Sequence, residues 1–371
     1  MYIYIIIKKY KYSKYINSIK QYKFSFVTMK KLFYILMLFV TFKNTQSFVI
    51  TKGLNFKNSS NFQKHYVINN YICNKKTNLI KKINSYNKLL RTSSVVPTFL
   101  LNVLGGWFVI PSYKLFLNKY FWLFSIITQL TMMNSMVIND LFDLKIDLIN
   151  NNNRPLVTKE ISIKEAQCLY LTLNIITNLL SIVFFNKNNL NIYIHGINLL
   201  LFLYTPFLKK IILLKNITCA SVVSSTLLLT CKGVTNHSNS IINYNNNKNL
   251  IYITSKFLFL SSLYIELLLD SKDIHGDKEN NIITIPNYFG IKKTLKCLTI
   301  IFISNLIYYS NFLYNSKNYI LLFGFIVANI NFIKNLLFLQ MHSHSNETIL
   351  NAVKETTSSL FFFILFLIIS L

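Results

Sequence analysis

All six aspartates of this 371-residue chain fall into two short clusters, and this grouping is the strongest chemical signal in the sequence. The clusters are Asp140, Asp143, Asp147 and Asp270, Asp273, Asp277. Acids are otherwise rare, since Asp and Glu total 12 against 39 Lys and Arg, and none precedes Asp140. Acidic side chains scattered over a solvated surface would not group in this way, so the clusters indicate a site.

Each cluster predicts one acidic face of a helix. Asn139, Asp143 and Asp147 recur every four residues, and side chains at that spacing stack along one side of a helix. Glu266 lies four residues before Asp270 and extends the face of the second cluster. Like charges stacked in this way repel each other, so we expect a cationic group to compensate them.

The residue types favour a magnesium site. The five cysteines are dispersed without a CxxC pair, so a zinc or disulfide framework has little support. Carboxylate oxygens are the donors that Mg²⁺ or Mn²⁺ prefers. Because Mg²⁺ usually completes its coordination with substrate phosphates, the sequence predicts metal-dependent chemistry on a phosphate ester.

The composition predicts an integral membrane protein. Hydrophobic residues make up 52% of the chain and charged residues only 14%, with a mean hydropathy of +0.39. The net charge of +27 does not indicate nucleic-acid binding, because the basic residues lie in the amino-terminal segment and between apolar runs. About nine apolar runs of membrane length predict an all-α bundle. The predicted spans are 94–111, 120–138, 166–185, 190–208, 216–230, 250–269, 295–313, 319–339 and 357–371.

Both clusters are predicted to face the same compartment. The first cluster follows two predicted spans and the second follows six, and each is an even number of crossings. Lys and Arg are concentrated in the loops on that side, which the positive-inside bias assigns to the cytoplasm-equivalent face. The two clusters can therefore meet at the mouth of one cavity.

The segment 1–90 is predicted to be a targeting leader that is disordered or removed, and 91–371 to be the functional domain. Residues 29–47 combine two lysines with a short apolar core, as signal peptides do. Residues 48–90 are rich in Ser and Lys without any acid and resemble a transit peptide. This pairing resembles a plastid-type leader, and a mitochondrial presequence is the alternative.

Two other interpretations of the clusters remain open on the residues alone. The acids could be solvated caps at helix ends of a non-catalytic membrane scaffold. They could also line the path of a cation transporter. Carboxylates at span ends beside basic loops fit a diphosphate site better than a path through the middle of the bilayer.

Three segments resemble the UbiA superfamily of intramembrane prenyltransferases. The run "NDLFDLKID", followed by "RPL", is similar to the first acidic element of that family. The run "DSKDIHGDKENNIITIP", followed by "FG", is similar to its second, and "YTPFLKK" (204–210) to the segment between them. The resemblance covers about residues 91–371 and includes the order of the segments and the number of helices. It is closest in form to the homogentisate prenyltransferase, chlorophyll synthase and ether-lipid synthase branches.

The resemblance implies a helical bundle that binds an isoprenyl diphosphate through Mg²⁺ held between the acid clusters. It implies substrate-binding roles for Asp140 and Glu266 and a position for Tyr204 near the allylic carbon. It also implies that basic side chains hold the diphosphate oxygens, and these are Arg91, Arg154 and Lys209. The implied metal ligands are Asn139, Asp143, Asp147, Asp270, Asp273 and Asp277.

The reaction so implied is transfer of the isoprenyl group to a lipophilic acceptor. We expect the acceptor to be an aromatic quinone precursor. The alternative is a hydroxyl acceptor, as in chlorophyll-synthase-like or ether-lipid prenylation. Ionisation of an allylic diphosphate needs its departing charge to be neutralised, which paired metals with Lys and Arg supply.

Overall fold

A computed structural model describes residues 80–150, 153–186, 189–235, 241–279, 283–341 and 346–371. Thirteen α-helices occur in these ranges, and the described chain contains no β-strand. The first helix, α1, covers residues 80–89. The others are α2 (Val95–Val109), α3 (Lys119–Phe142), α4 (Leu144–Asn150), α5 (Ile163–Phe185), α6 (Leu190–Tyr204), α7 (Leu214–Thr235), α8 (Ile241–Lys272), α9 (Ile274–Glu279), α10 (Ile285–Phe289), α11 (Ile291–Asn315), α12 (Tyr319–Met341) and α13 (Asn346–Ser370).

The predicted all-α membrane architecture is confirmed. Within the described ranges, seven helices are long and apolar enough to cross a membrane, and the bent helix α12 would make an eighth. The apolar helix α6 is shorter, so the predicted number of about nine is approximate. Helices α7, α8 and α13 extend beyond the predicted spans because polar residues at their ends continue the helix, whereas hydropathy reports only the apolar part.

One such extension has a clear structural reason. The sixth predicted span begins at residue 250, but α8 already begins at Ile241 and includes the Asn-rich residues 243–249. The side-chain amide of Asn243 donates to the Val109 carbonyl at 3.2 Å, and that of Asn247 donates to the Phe108 carbonyl at 3.0 Å. These carbonyls end α2 and have no partner within their own helix, so the asparagines cap it.

The helices that carry the acid clusters, α3 and α8, are held in place by two shared neighbours. Both α2 and α7 pack against α3 and also against α8. Beyond α3 lie α5 and α6, and beyond α8 lie α11 and α13. Any change in the distance between α3 and α8 would therefore disturb the packing of α2 and α7.

Aromatic rings fill the half of the bundle around α8. The Phe257 ring lies 5.2 Å from the Phe325 ring and 5.4 Å from the Phe363 ring, measured between centroids. Tyr309 is fully buried beside them, with its hydroxyl 3.0 Å from the Thr254 hydroxyl. The ring contacts and the hydroxyl contact together connect α8 with α11, α12 and α13, and they bury the phenol together with a hydrogen-bond partner.

In the other half, side-chain hydrogen bonds join α3, α5 and α6 within the apolar region. The Asn178 carbonyl oxygen accepts from the Asn198 amide at 3.0 Å and lies 2.7 Å from the His195 Nδ1. The Thr131 hydroxyl donates to the Asn198 carbonyl oxygen at 3.3 Å. Polar contacts of this kind associate helices in lipid, where apolar side chains gain little from meeting one another.

Part of the segment assigned to the leader is folded onto the bundle. Leu89 of α1 is fully buried with Val137, Leu156 and Ile161. The Ser85 hydroxyl donates to the Glu160 carboxylate at 2.6 Å. The folded region therefore includes residues 80–90, whereas the signal-like segment and most of the transit-like segment lie outside the described residues.

Glycine allows α2 to approach α7 closely. A methyl group added at Gly105 would lie 2.8 Å from the Thr230 Cβ and 2.9 Å from the Leu227 carbonyl oxygen. Real Cβ atoms do not approach a backbone oxygen so closely, so the two helices would have to separate. We expect Gly105→Ala to lower the unfolding free energy by about 1–3 kcal/mol, measured as a lower melting temperature of the detergent-solubilised protein.

Gly196 of α6 supplies the matched control. A methyl group added there meets no atom within 4 Å, and alanine is the better residue inside a helix by about 0.5–1 kcal/mol. Gly196→Ala should therefore melt at or above the wild-type temperature. Equal melting temperatures of the two variants would show that the close contact between α2 and α7 does not require glycine at position 105.

Candidate active site

The two acid clusters lie at matching bends in the chain. Helix α3 ends at Phe142 and α8 at Lys272, and the short helices α4 and α9 follow directly after Asp143 and Asp273. The backbone hydrogen bonds from Asp147 to Asp143 and from Asp277 to Asp273 continue across the bends at 2.8 and 3.0 Å. Each cluster was predicted to lie on one face of a helix, and the structure divides each cluster between a long helix and a short one that follows it.

The bends bring the clusters together. Helix α4, which carries Asp147, packs against α9, which carries Asp277. The expectation that both clusters lie at the same end of the bundle is thus met in the described structure. The two acid clusters are therefore neighbours at one end of the bundle.

Each buried carboxylate of the first cluster is paired with a cation. Asp140 is 1% exposed and accepts from the Arg91 guanidinium at 2.9 Å. The Arg154 guanidinium lies 3.6 Å from the second Asp140 oxygen and 3.9 Å from Asp147. The Lys209 ammonium donates to Asp143 at 2.5 Å. The three basic residues singled out from the sequence are therefore all at the site, where they neutralise the first cluster.

Arg91 reaches Asp140 through an unusual backbone conformation. It has φ 46° and ψ 53°, in the left-handed region, where it follows α1 and precedes the 3-10 turn Thr92–Ser94. This conformation costs a non-glycine residue about 1–2 kcal/mol. The Arg91 Nε is buried without a hydrogen-bond partner. One guanidinium edge is therefore held by Asp140 while an N–H remains available for another acceptor.

The second cluster is anchored by a lysine that the sequence reasoning missed. The Lys215 ammonium lies 2.5 Å from one Asp270 oxygen, and the Asn216 amide donates to the other at 2.9 Å. Both residues are buried in the first turn of α7. A lysine just before an apolar run usually marks the edge of a membrane span, so the sequence offered no reason to distinguish Lys215 from the flanking lysines.

The remaining acids of the second cluster are less completely paired. Asp273 is the more exposed one, and the Lys272 ammonium lies 3.6 Å from its carboxylate. Asp277 is buried, and its Oδ2 has no hydrogen-bond partner. Glu266 has no hydrogen bond or ion pair with any described residue and is surrounded by the charges of Asp270, Lys215 and Arg91.

The other two predicted site residues lie beside these clusters. The Asn139 side-chain oxygen accepts from the Thr205 hydroxyl at 3.4 Å, which ties α3 to the end of α6. Tyr204 is the last residue of α6, and it lies close to Cys219, Glu266 and Asp270. The structure thus brings all twelve predicted residues to one end of the bundle.

The donor set fits divalent cations. Among the described side chains, the second cluster and Glu266 supply four carboxylates against the two ammonium groups of Lys215 and Lys272. No three Asp, Glu, His or Cys side chains of the described residues converge into a ready-made metal site. Mg²⁺ does not need one, because one or two carboxylates with waters and substrate phosphates complete its shell. The orphaned Asp277 oxygen supplies a donor of the required type.

The pairing of Lys215 with Asp270 has a measurable consequence. Lys215→Met keeps the length of the side chain but leaves a buried carboxylate without its cation. We expect the unfolding free energy to fall by about 3–5 kcal/mol, and the double variant Lys215→Met/Asp270→Asn to recover most of that loss. Lys256→Met, which changes an exposed lysine of α8, is the control. If Lys215→Met melts at the wild-type temperature, the contribution of this pair to stability is contradicted.

The Asp277 carboxyl predicts an unusual pH dependence. Burial raises its pKa from 3.8 to about 6. The folded state therefore holds this proton more tightly than the unfolded chain does, so the contribution to stability is lost as the pH rises from about 4 through 6. With a chelator present, the melting temperature of Asp277→Asn should vary less between pH 4 and 6 than that of the wild-type protein. If the two melting temperatures change equally with pH, the raised pKa of Asp277 is contradicted.

The comparisons with known proteins show the family of this chain. The sequence matches the model of the UbiA prenyltransferase family over residues 95–367. A digeranylgeranylglyceryl phosphate synthase of Methanosphaera stadtmanae is 26% identical over 278 residues, which are 72% of this chain and 91% of that protein. The enzyme of the same name from Sulfurisphaera tokodaii is 29% identical over 216 residues, which are 57% of this chain and 72% of that protein.

Solved structures share the fold. A structure of digeranylgeranylglyceryl phosphate synthase aligns with a TM-score of 0.58 at 23% identity, covering 78% of this chain and 98% of its own. A UbiA homolog from Archaeoglobus fulgidus bound to GPP and Mg²⁺ aligns with a TM-score of 0.52 at 17% identity, covering 76% and 99%. The family match extends over most of the chain, so the protein belongs to the UbiA prenyltransferase family and is a prenyltransferase of the membrane.

Proposed function

We propose that this protein transfers a geranylgeranyl group from its diphosphate to a hydroxyl of a glycerol phosphate lipid and forms an ether, in a reaction that depends on Mg²⁺. The observation that carries the proposal is the contact between α4 and α9, which joins two acid clusters and their cations at one end of an apolar bundle. A diphosphate needs cations and metal ligands, and its isoprenyl tail needs an apolar chamber. Both requirements are met at the same place.

In this proposal the cations exchange partners when the donor binds. Arg91, Arg154 and Lys209 now neutralise carboxylates of the first cluster. When divalent cations occupy the carboxylates, these three side chains are released to donate to diphosphate oxygens. The free Nε–H of Arg91 is already placed for such an acceptor. The same charges thus stabilise the protein before binding and the departing diphosphate during the reaction.

The proposed metal ligands are the side chains that the sequence indicated, namely Asn139, Asp143, Asp147, Asp270, Asp273 and Asp277. Bound there, Mg²⁺ would neutralise the charge that develops on the leaving diphosphate. Lys215 and Asn216 hold the Asp270 carboxylate in position. The apolar spans below this end exclude water, which would otherwise capture the allylic cation.

The acceptor is inferred from the relatives. Their name describes a glycerol phosphate that carries two geranylgeranyl groups. We therefore propose geranylgeranylglyceryl phosphate as the acceptor and geranylgeranyl diphosphate as the donor. This choice favours the ether-lipid alternative over the aromatic quinone precursor that was the first expectation from the sequence.

An acceptor panel tests this assignment. The purified protein receives labelled geranylgeranyl diphosphate and Mg²⁺ with geranylgeranylglyceryl phosphate, homogentisate or chlorophyllide, and products are identified by mass spectrometry. The ether lipid is expected, and chelation of Mg²⁺ should abolish its formation. Prenylated homogentisate or chlorophyllide in place of the ether would refute the proposed acceptor.

Single substitutions test the site itself. Asp143→Asn and Asp273→Asn each remove a proposed metal ligand while keeping the shape of the side chain, so we expect product formation to fall at least about 100-fold. Glu347→Gln alters an exposed acid in the first turn of α13 and should retain wild-type activity. Wild-type rates in both aspartate variants would overturn the proposed site.

We also propose that the catalytic domain extends from α1 to α13. The family match begins at residue 95, and α1 packs on the bundle before that point. The plastid-type or mitochondrial destination predicted from residues 1–90 stays a prediction, and the archaeal relatives give it no support.

A further inference from the structure

Beneath the charged layer of the site lies a second layer in which one acid has no cationic partner. Lys215 of α7 pairs with Asp270 of α8. One helical turn deeper on each helix, four residues away, are Cys219 and Glu266. Tyr204 at the end of α6 lies close to both. Glu266 thus lies near a thiol and a phenol, and it is the acid that lies deepest on α8.

The position of this second layer can be related to the donor substrate. The diphosphate belongs with the cations and metal ligands of the outer layer, and the isoprenyl tail belongs in the apolar interior. The atom that joins these two parts is C1, the carbon that is attacked. C1 must therefore lie at the boundary between the layers, which is the level of Tyr204, Cys219 and Glu266.

An acceptor hydroxyl that attacks at this level must lose its proton. Water is excluded from the apolar interior, and the nearby amines Lys215 and Lys209 are ammonium groups engaged by carboxylates. The Glu266 carboxylate has no hydrogen bond or ion pair with any described residue. Its lone pairs are available for a hydroxyl that approaches C1.

Resting on the proposed function, we propose that Glu266 is the catalytic residue that accepts the proton of the acceptor hydroxyl. The bond between C1 and the diphosphate oxygen breaks, and the diphosphate leaves with the electron pair. The acceptor oxygen forms the new bond to C1, and its proton passes to a Glu266 carboxylate oxygen. The proton leaves the carboxyl when the ether product is released.

The charged and titratable groups that face Glu266 come from four elements. Asp270 lies on its own helix, Lys215 and Cys219 on α7, Tyr204 on α6, and Arg91 precedes α2. The carboxylate of Glu266 is therefore surrounded by one acid and two cations, and it forms no ion pair with any of them among the described residues.

Glu266→Gln tests the proposal, because glutamine keeps the shape of the side chain and cannot accept the proton. With Mg²⁺, binding of labelled geranylgeranyl diphosphate should stay within about 2-fold of wild type. The kcat for ether formation with geranylgeranylglyceryl phosphate should fall about 100-fold or more, the range of general-base catalysis. The wild-type kcat should decline at low pH, and the residual kcat of the variant should not. Glu347→Gln serves as the control.

The possible results distinguish a failure of the proposed function from a failure of the proposed role of Glu266. Absence of ether formation by the wild-type protein refutes the proposed function. If the wild-type protein and Glu266→Gln form the ether at equal kcat, the role of Glu266 is refuted and the proposed function stands. Loss of diphosphate binding in Glu266→Gln also refutes that role. If Glu266→Gln fails to fold, Glu266→Asp is measured instead. We expect a lower kcat at an unchanged KM, and a wild-type kcat would contradict the role of Glu266.

Discussion

The pairing of buried carboxylates with cations from other parts of the chain is the interaction on which this structure depends. Removal of a carboxylate from water costs several kcal/mol unless a cation or hydrogen bonds compensate it. Asp140, Asp143 and Asp270 are each 5% exposed or less. Their partners come from the turn before α2, the turn after α6 and the start of α7. These three segments and the ends of α3 and α8 must therefore all meet at one end of the bundle for the acids to be tolerated at all.

The remaining helices keep this end in position. Helices α2 and α7 contact both α3 and α8, and Gly105 allows α2 and α7 to lie close together. In lipid, helices associate through close backbone packing and interhelical hydrogen bonds, because the hydrophobic effect contributes little there. The aromatic cluster around Phe257 and the polar contacts of Asn178 stabilise the two halves separately. The distance between the acid clusters is consequently set by packing far below them.

The site is layered along the bundle axis. Cations and carboxylates form the outer layer, Tyr204, Cys219 and Glu266 form the next, and apolar spans follow. A prenyl diphosphate has the same order of polarity along its length, from charged head to reactive carbon to apolar tail. In the proposed function, this layering would orient the donor with its diphosphate in the outer layer and its tail among the apolar spans. The proposed role of Glu266 places the acceptor proton in the middle layer.

The sequence by itself determined the all-helical membrane class, the two acid clusters and their common side, because hydropathy and residue spacing are local properties. Span ends were less well determined, since polar asparagines at the start of α8 continue the helix and cap α2. Only the tertiary structure revealed the bends at Asp143 and Asp273, the role of Lys215 and the isolation of Glu266. A lysine beside a span has the same local sequence whether it faces lipid headgroups or a buried carboxylate. The packing of α7 against α8 decides which of these it meets.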